Sequence, residues 1–542
     1  MKVLVFTTDV PPLPGIPTSG TALRTWGMAQ GLRANGHEAI ISPPRTAMAA
    51  LRKRVSKESV SPAVASEIKE LERLSFDPSN QSALVEQIKP DVILCGHWPA
   101  MMLQTKPDQP VIIDLAGPHM LERHYQGSPN QIGAVLGKLS AISTADCFIV
   151  SGAKQRLYFL SYLLRARVPS PEERMVTIPM PLDPAVPNYQ RNFHGSNSPQ
   201  FVFGGVFLPW QDPSAALGHV VSRIEREKKG KFTLIGGTHP NYKIKQGVYK
   251  GLFEKLGKSA FVDSKPLLPY EDFLRELSTQ EVAVDLMKWN LERELAMTIR
   301  STTYLWSGIP TIYNDYADLG DLIRRYDAGW CVPPENPEAL DKVLSEIYAD
   351  PGILSRKSSN ASQLAKEIFA WDVAVKPLLN FFSIENRGPL HETDIIVDFP
   401  DLSSINIQKE RGVEQEFVCR INGLTKVECR LATHDRLIKD PLHFRLFAVE
   451  GNSKADNRLV AEKAVTPSEI KNNEWCGIEM PPIQDSGGKK FSLSLESSAG
   501  AIQDSVSPWA VKGSPYPLLG LYHGGKKVDH TALCFRTTCS ST

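Results

Sequence analysis

The chain has no apolar run approaching the ~20 residues needed to cross a bilayer, and its charges nearly cancel. Against 61 lysines and arginines stand 60 aspartates and glutamates, a formal net charge of +1. The first absence excludes an ordinary helical membrane protein. The second removes any global field for gathering polyanions, so nucleic acid is not expected as a partner. Cysteine is sparse, with eight residues in 542. Cys95, Cys147 and Cys331 lie in apolar, strand-like runs. Cys419, Cys429, Cys476, Cys534 and Cys539 fall in the last third. None forms a CxxC pair or has a histidine at zinc spacing, so no metal site is expected. The opening run Met1–Phe6 is too short for a signal-peptide core and is broken by Thr7-Thr8-Asp9. It reads as a first strand, and the expected location is the cytoplasm. Peripheral contact with a membrane stays open.

What is present is ordinary globular material arranged in three textures. A length of 542 residues exceeds what one core supports. Short apolar runs alternate with amphipathic stretches over the first part, the pattern of a parallel sheet flanked by helices. The runs at 2–7, 38–42, 92–95, 111–113 and 147–150 are continuous, as expected of strands buried on both faces. Between the first two, Ala22, Trp26, Ala29 and Leu32 recur at helical spacing, and Asn35-Gly36 supplies a stop. A proline-rich stretch, 179–200, reads as a hinge. A second α/β series follows, with strands at 201–203, 232–235, 282–286 and from 310, and amphipathic helices at 337–349 and 362–382. After Asn386-Arg387-Gly388-Pro389 the period changes to two, as in Phe444/Leu446/Ala448 and Phe491/Leu493/Leu495, which predicts an antiparallel sandwich. The expected division is 1–185, a linker at 186–200, 201–385, and a β-domain at 396–540.

Four blocks in order carry a resemblance. Thr18-Ser19-Gly20-Thr21-Ala22 leads into a helix that ends Leu32-Arg33-Ala34-Asn35-Gly36-His37-Glu38. Later come Tyr304-Leu305-Trp306-Ser307-Gly308-Ile309-Pro310-Thr311-Ile312, then Ala328-Gly329-Trp330-Cys331-Val332-Pro333-Pro334 with Pro337-Glu338-Ala339-Leu340, then a closing helix. Over residues 1 to 385 this resembles the retaining GT-B glycosyltransferases of the group 1, or family 4, type. The resemblance implies two Rossmann-like lobes facing a cleft. It also implies a nucleotide-diphosphate-sugar as co-substrate with no further cofactor, a glycan or lipid-linked acceptor, and retention at the anomeric carbon.

The chain departs from the family pattern in the second lobe. Members carry a spaced acidic pair, the later acid binding ribose; here Thr303 stands at that later position, beside Thr302, and Glu294 or Glu292 is left for the earlier one. Members place an arginine and a lysine after the first strand of this lobe, but this chain reads Gly204-Gly205-Val206-Phe207-Leu208-Pro209-Trp210. Lys288, Arg293 and Arg300 are the cations that could compensate. The expected donor-binding set is therefore Gly20, Lys288, Glu294, Arg300, Thr302 and Thr303. In the first lobe, Asp114 at a strand end and His119 beyond Gly117-Pro118 are the expected catalytic groups, and His97 and Trp98 the expected acceptor contacts. His239 reads as loop structure. The alternative to an enzyme is a catalytically inactive scaffold that keeps the shape and binds sugar or nucleotide.

Overall fold

The computed structural model describes residues 1–55, 60–100, 103, 107–129, 131–166, 168–185, 187, 198–239, 247, 249–382, 393–398, 400, 405–451, 456–512 and 520–540, with the side chains of Trp98, Ile132, Lys250, Pro351 and Thr393 excepted. Most of the expected linker and all of the 386–389 turn lie outside them.

Six apolar runs become one parallel sheet: β1 (Lys2–Phe6), β2 (Glu38–Ser42), β3 (Val92–Gly96), β4 (Val111–Asp114), β5 (Cys147–Val150) and β6 (Met175–Thr177), in the order β2-β1-β3-β4-β5-β6. Strands β3, β4 and β5 are buried throughout, because helices cover both faces. A second parallel sheet comprises β7 (Gln200–Val206), β8 (Lys231–Gly237), β9 (Val262–Lys265), β10 (Val282–Asp285), β11 (Thr311–Asn314) and β12 (Gly329–Val332), in the order β12-β11-β10-β7-β8-β9. In each sheet the chain reverses direction beside the first strand. The crevice at that switch point, at the strands' carboxyl ends, is where such sheets take ligands.

The predicted continuous helix at 362–382 is broken. Helix Pro351–Leu364 runs into a π-helical turn, Ala365–Phe369, and the chain then crosses to the first lobe. The crossing is pinned by backbone bonds, from Leu182 N to Phe369 O at 2.6 Å and from Trp371 N to Leu182 O at 2.7 Å. Beyond it, Ala374, Val375, Leu378 and Phe382 complete the core around β1, β3 and β5. Helix Gly20–Ala34 comes close to this crossing because it has no side chains there. A Cβ on Gly27 would lie 2.2 Å from Pro181 O, and one on Gly31 2.4 Å from Trp371 O.

Beside a two-stranded sheet, Ala510–Lys512 with Thr531–Leu533, the period-two region forms two large antiparallel sheets. One runs Arg458–Val465, Leu442–Ala448, Lys490–Ser497, Val413–Val418, Gly520–His523, Lys526–Val528; the other runs Thr393–Ile396, Phe535–Cys539, Leu424–Ala432, Glu474–Ile483. Inward residues of both, such as Phe417, Leu446 and Leu493 against Val427, Leu431 and Phe535, share one core. This sandwich is not a loose appendage. Leu136, from helix Gln131–Thr144 of the first lobe, belongs to its core. Buried Arg420 pairs with Asp394 at 3.0 Å and donates to Ser140 O, Ser140 Oγ and Ser143 Oγ on the same helix. Cys419 and Cys539 sulfurs lie 3.9 Å apart beside Asp394, where the positive charge is already supplied by Arg420.

Candidate functional site

The two lobes enclose a cavity of about 380 Å³. From the first lobe come the start of helix Gly20–Ala34, the Ala116-Gly117 loop and Glu122. From the second come Gly204, Gly205, Trp210, the Glu292-Arg293 pair, Arg300 and Thr303. Ser19 caps the helix by accepting from Ala22 N at 3.3 Å. Gly20 packs closely on the other lobe: a Cβ there would stand 2.8 Å from Ile299 Cδ1. The helix start can therefore sit against the second lobe with its unpaired amides near the cavity.

Arg300 occupies the space under the glycine pair. Its guanidinium lies 3.6 Å from where a Gly205 Cβ would be and 4.9 Å from the Phe203 ring centroid, and it donates to Gln211 Oε1. Its ion pair with buried Asp285 is long, 3.9 Å from Nη1 to Oδ1, and the other Asp285 oxygen accepts from Ser301 Oγ. Arg293 also lines the cavity but is matched by Glu292 at 2.6 and 2.8 Å. Trp210 lines it too; its buried indole N–H has no hydrogen-bond partner among the described residues.

Several expected site residues are placed elsewhere. Lys288 is well exposed, 3.7 Å from Glu335, and does not line the cavity. Glu294 bridges the lobes: it accepts from Lys154 Nζ at 2.7 Å and from Trp289 Nε1 at 2.9 Å. These bonds, first Lys154 and then Trp289, hold its carboxyl below the usual range. Lys154 also donates to Tyr316 O through Nζ at 2.7 Å and to Asp318 Oδ2 through its backbone N–H at 3.0 Å. It is thus a clasp between lobes. Thr302 and Thr303 both donate their hydroxyls to Ile299 O, at 2.8 and 2.9 Å; Thr302 is fully buried and does not line the cavity, whereas Thr303 does. Trp98 lies outside the described side chains; its backbone belongs to a short helix, His97–Ala100, that the strand-end reading did not foresee.

Asp114 is not a free carboxylate. Arg24 Nε and Nη2 grip both its oxygens, at 2.8 and 3.0 Å, and Arg24 also donates to Ile178 O and Pro179 O. The pair ties helix Gly20–Ala34 to the end of β4. It stands at a second chamber of about 460 Å³, next to the first, with His97 and His119 in its wall, ring centroids 5.2 Å apart. Burial, then Lys138 and Arg123, push His119 down to about 3; burial, then Lys138 and His119, hold His97 well below its ordinary range. Both imidazoles are neutral.

Glu122 and His239 were missed. Glu122 lines both chambers, and its Oε1 would lie 2.6 Å from a Cβ on Gly117. Burial, then the charge of Glu292 across the cleft, raises it to about 7. His239 follows β8 and also lines both chambers. Nothing in the local sequence marks either residue. Each gains its position from the facing lobe.

Two parallel sheets across a crevice, with a terminal segment returning to the first lobe, make this a GT-B fold, the fold of many glycosyltransferases. Sucrose-phosphate synthase from Thermosynechococcus elongatus shares it at 14% identity, over 70% of this chain and 98% of that one, with a TM-score of 0.53. TarM does so at 12% identity, over 70% and 98%, with a TM-score of 0.51. Trehalose-6-phosphate synthase OtsA does so at 10% identity, over 70% and 99%, with a TM-score of 0.50. In sequence, 81 residues are 33% identical to the D-inositol 3-phosphate glycosyltransferase of Streptomyces bingchenggensis (strain BCW-1). That match spans 15% of this chain and 18% of the relative's length. No protein-family model matches the chain.

Proposed function

We propose that the chain is a glycosyltransferase that moves a sugar from a nucleotide-diphosphate-sugar to a hydroxyl of a glycan or lipid-linked acceptor. The observation that carries this reading is Arg300, a buried guanidinium beneath Gly204-Gly205 at the end of β7, whose ion pair with Asp285 is long at 3.9 Å and makes no hydrogen bond. Members of the family place an arginine and a lysine after the first strand of this lobe. Here one comes from helix Ile299–Trp306 instead, and reaches the place where a departing diphosphate needs positive charge. The unpaired Trp210 N–H and the amides at the start of helix Gly20–Ala34 offer further donors. Leaving such a buried donor unbonded costs about 1–3 kcal/mol, which a ligand acceptor would recover. Thr303 stands where the ribose is expected, as a neutral partner. Retention follows the family resemblance: Asp114 is fixed by Arg24, and the leaving phosphate itself would take up the acceptor proton.

The test is thermal melting of the full chain with UDP-, GDP- and ADP-sugars, since a ligand that binds only the native state raises the midpoint. It is followed by an assay for transfer and hydrolysis. Stabilisation by one nucleotide class, with turnover, is the expected result. Tight binding with no turnover would favour the inactive scaffold, and binding of no nucleotide would end the enzyme reading.

A further inference from the structure

The two large sheets of the sandwich meet at a pair of thiols. Cys419 directly follows strand Val413–Val418 of one sheet, and Cys539 ends strand Phe535–Cys539 of the other. They are 120 residues apart in sequence, yet their sulfurs lie 3.9 Å apart. Both side chains are buried, at 0% and 2% exposure. Both thiols aim at one oxygen: Cys419 Sγ donates to Ile421 O at 3.0 Å, and Cys539 Sγ does so at 3.6 Å. Ser486 Oγ donates to that oxygen as well, at 3.0 Å. A carbonyl offers two lone pairs, so three donors crowd it and the weak thiol donors are the surplus. Removing both S–H groups leaves Ile421 O satisfied by Ser486. The nearby Asp394 carboxylate keeps Arg420 Nε at 3.0 Å and Arg420 N at 2.8 Å whatever the thiols do.

We propose that Cys419 and Cys539 are a redox-responsive pair, a dithiol under reducing conditions and a disulfide joining the two sheets under oxidising ones. The oxidant is a carrier disulfide, small-molecule or protein. One cysteine thiolate attacks a sulfur of the carrier, which forms a mixed disulfide and releases one carrier thiol. The second cysteine thiolate then displaces the other. Two protein S–H bonds and the carrier S–S bond are lost; one protein S–S bond and two carrier S–H bonds form, and two electrons pass to the carrier. The sulfurs need to close from 3.9 Å to about 2.05 Å. The bond spans most of the sandwich, and a cross-link over so long a loop restricts the unfolded chain strongly. Burial sets the rate: the carrier reaches these thiols only when the sandwich opens locally, and the same shielding protects the bond once it is made. The proposal is independent of what the two lobes catalyse.

The experiment incubates the full chain with oxidised glutathione in sub-denaturing urea, and in parallel with reduced glutathione. Free thiols are then alkylated and the peptides mapped by mass spectrometry. All eight cysteines should be alkylated in the reduced sample, and six in the oxidised one, with Cys419 and Cys539 joined. After removal of urea, the oxidised chain should melt about 5 °C or more above the reduced chain. Cys539→Ser should bring the two midpoints together; should that variant not fold, the peptide map and the midpoints of the parent decide alone. Eight free thiols after oxidation overturn the proposal. So does a stable glutathione adduct on either cysteine, or a different pairing, such as Cys429 with Cys476, which face each other across two strands of one sheet. A Cys419–Cys539 bond that leaves the midpoint unmoved overturns it too.

Discussion

Arg300 stacks on a ring face, donates to an amide and meets the Asp285 carboxylate only at 3.9 Å, so hydrogen-bonding capacity is left for a ligand. Arg300→Ala should weaken nucleotide-sugar binding by about 1.5–3 kcal/mol, the worth of a charge-assisted bond to phosphate. Arg300→Lys should recover only part of this, because an ammonium cannot both stack on Phe203 and reach Gln211. Titration calorimetry reads both, and unchanged dissociation constants would remove Arg300 from the donor site. Glu122 gives a prediction in pH. Its ordinary value is 4.5 and the folded value is about 7. Between these, the folded chain keeps a proton that the unfolded chain releases, so this group's contribution to stability falls as pH rises through that window. Glu122→Gln removes the proton equilibrium. Chemical denaturation at pH 5 and pH 7.5 should show the variant gaining on the parent at the higher pH, and parallel behaviour would mean the carboxyl is not raised.

At the level of elements, Lys154 stands at the first turn of helix Ala153–Arg165 and reaches three groups of the other lobe. Its ion pair with Glu294 is about a third exposed at each end, so it contributes under ~1 kcal/mol to stability. Its effect belongs to the angle between lobes. Lys154→Ala should leave the melting temperature within a few degrees of the parent while enlarging the radius of gyration in X-ray scattering; an identical scattering curve would show that other contacts set the closure. This clasp also shows where sequence reading stops. Strands such as 92–95 and 147–150 were legible because burial on both faces writes a continuous apolar run. Helix Pro337–Ala349 was legible from its proline start and its amphipathic spacing. The break at Ala370 was not, because it depends on a backbone bridge to Leu182, far away in sequence. Glu294 and Asp114 read as site carboxylates because a carboxylate's partner, Lys154 or Arg24, is visible only once the chain is folded. Arg300 was legible as a candidate because the glycine turn lacked its usual cations, and an absence at a known place narrows the search.

Across the whole molecule, the sandwich and the first lobe share a boundary that period-two alternation cannot reveal. Alternation says that a strand has one buried face and is silent on what lies beyond the domain's end. Here Arg420 leaves the sandwich to bond two serines of helix Gln131–Thr144, and Leu136 of that helix enters the sandwich core. A chain ending in the 383–392 stretch would therefore expose Leu136 and strip partners from Ser140 and Ser143. A two-lobe fragment of this kind should melt below the full chain and aggregate. The sharper probe keeps the chain whole. Arg420→Ala leaves Asp394 fully buried without its cation, and breaking such a pair costs about 3–5 kcal/mol. The cost falls on the seam, so differential scanning calorimetry should show two transitions in the variant, the sandwich melting first, against one expected for the parent. Replacing both partners, Arg420→Met with Asp394→Leu, removes the stranded charge and should return much of the loss. A single unshifted transition in Arg420→Ala would mean that apolar contact through Leu136 alone couples the domains.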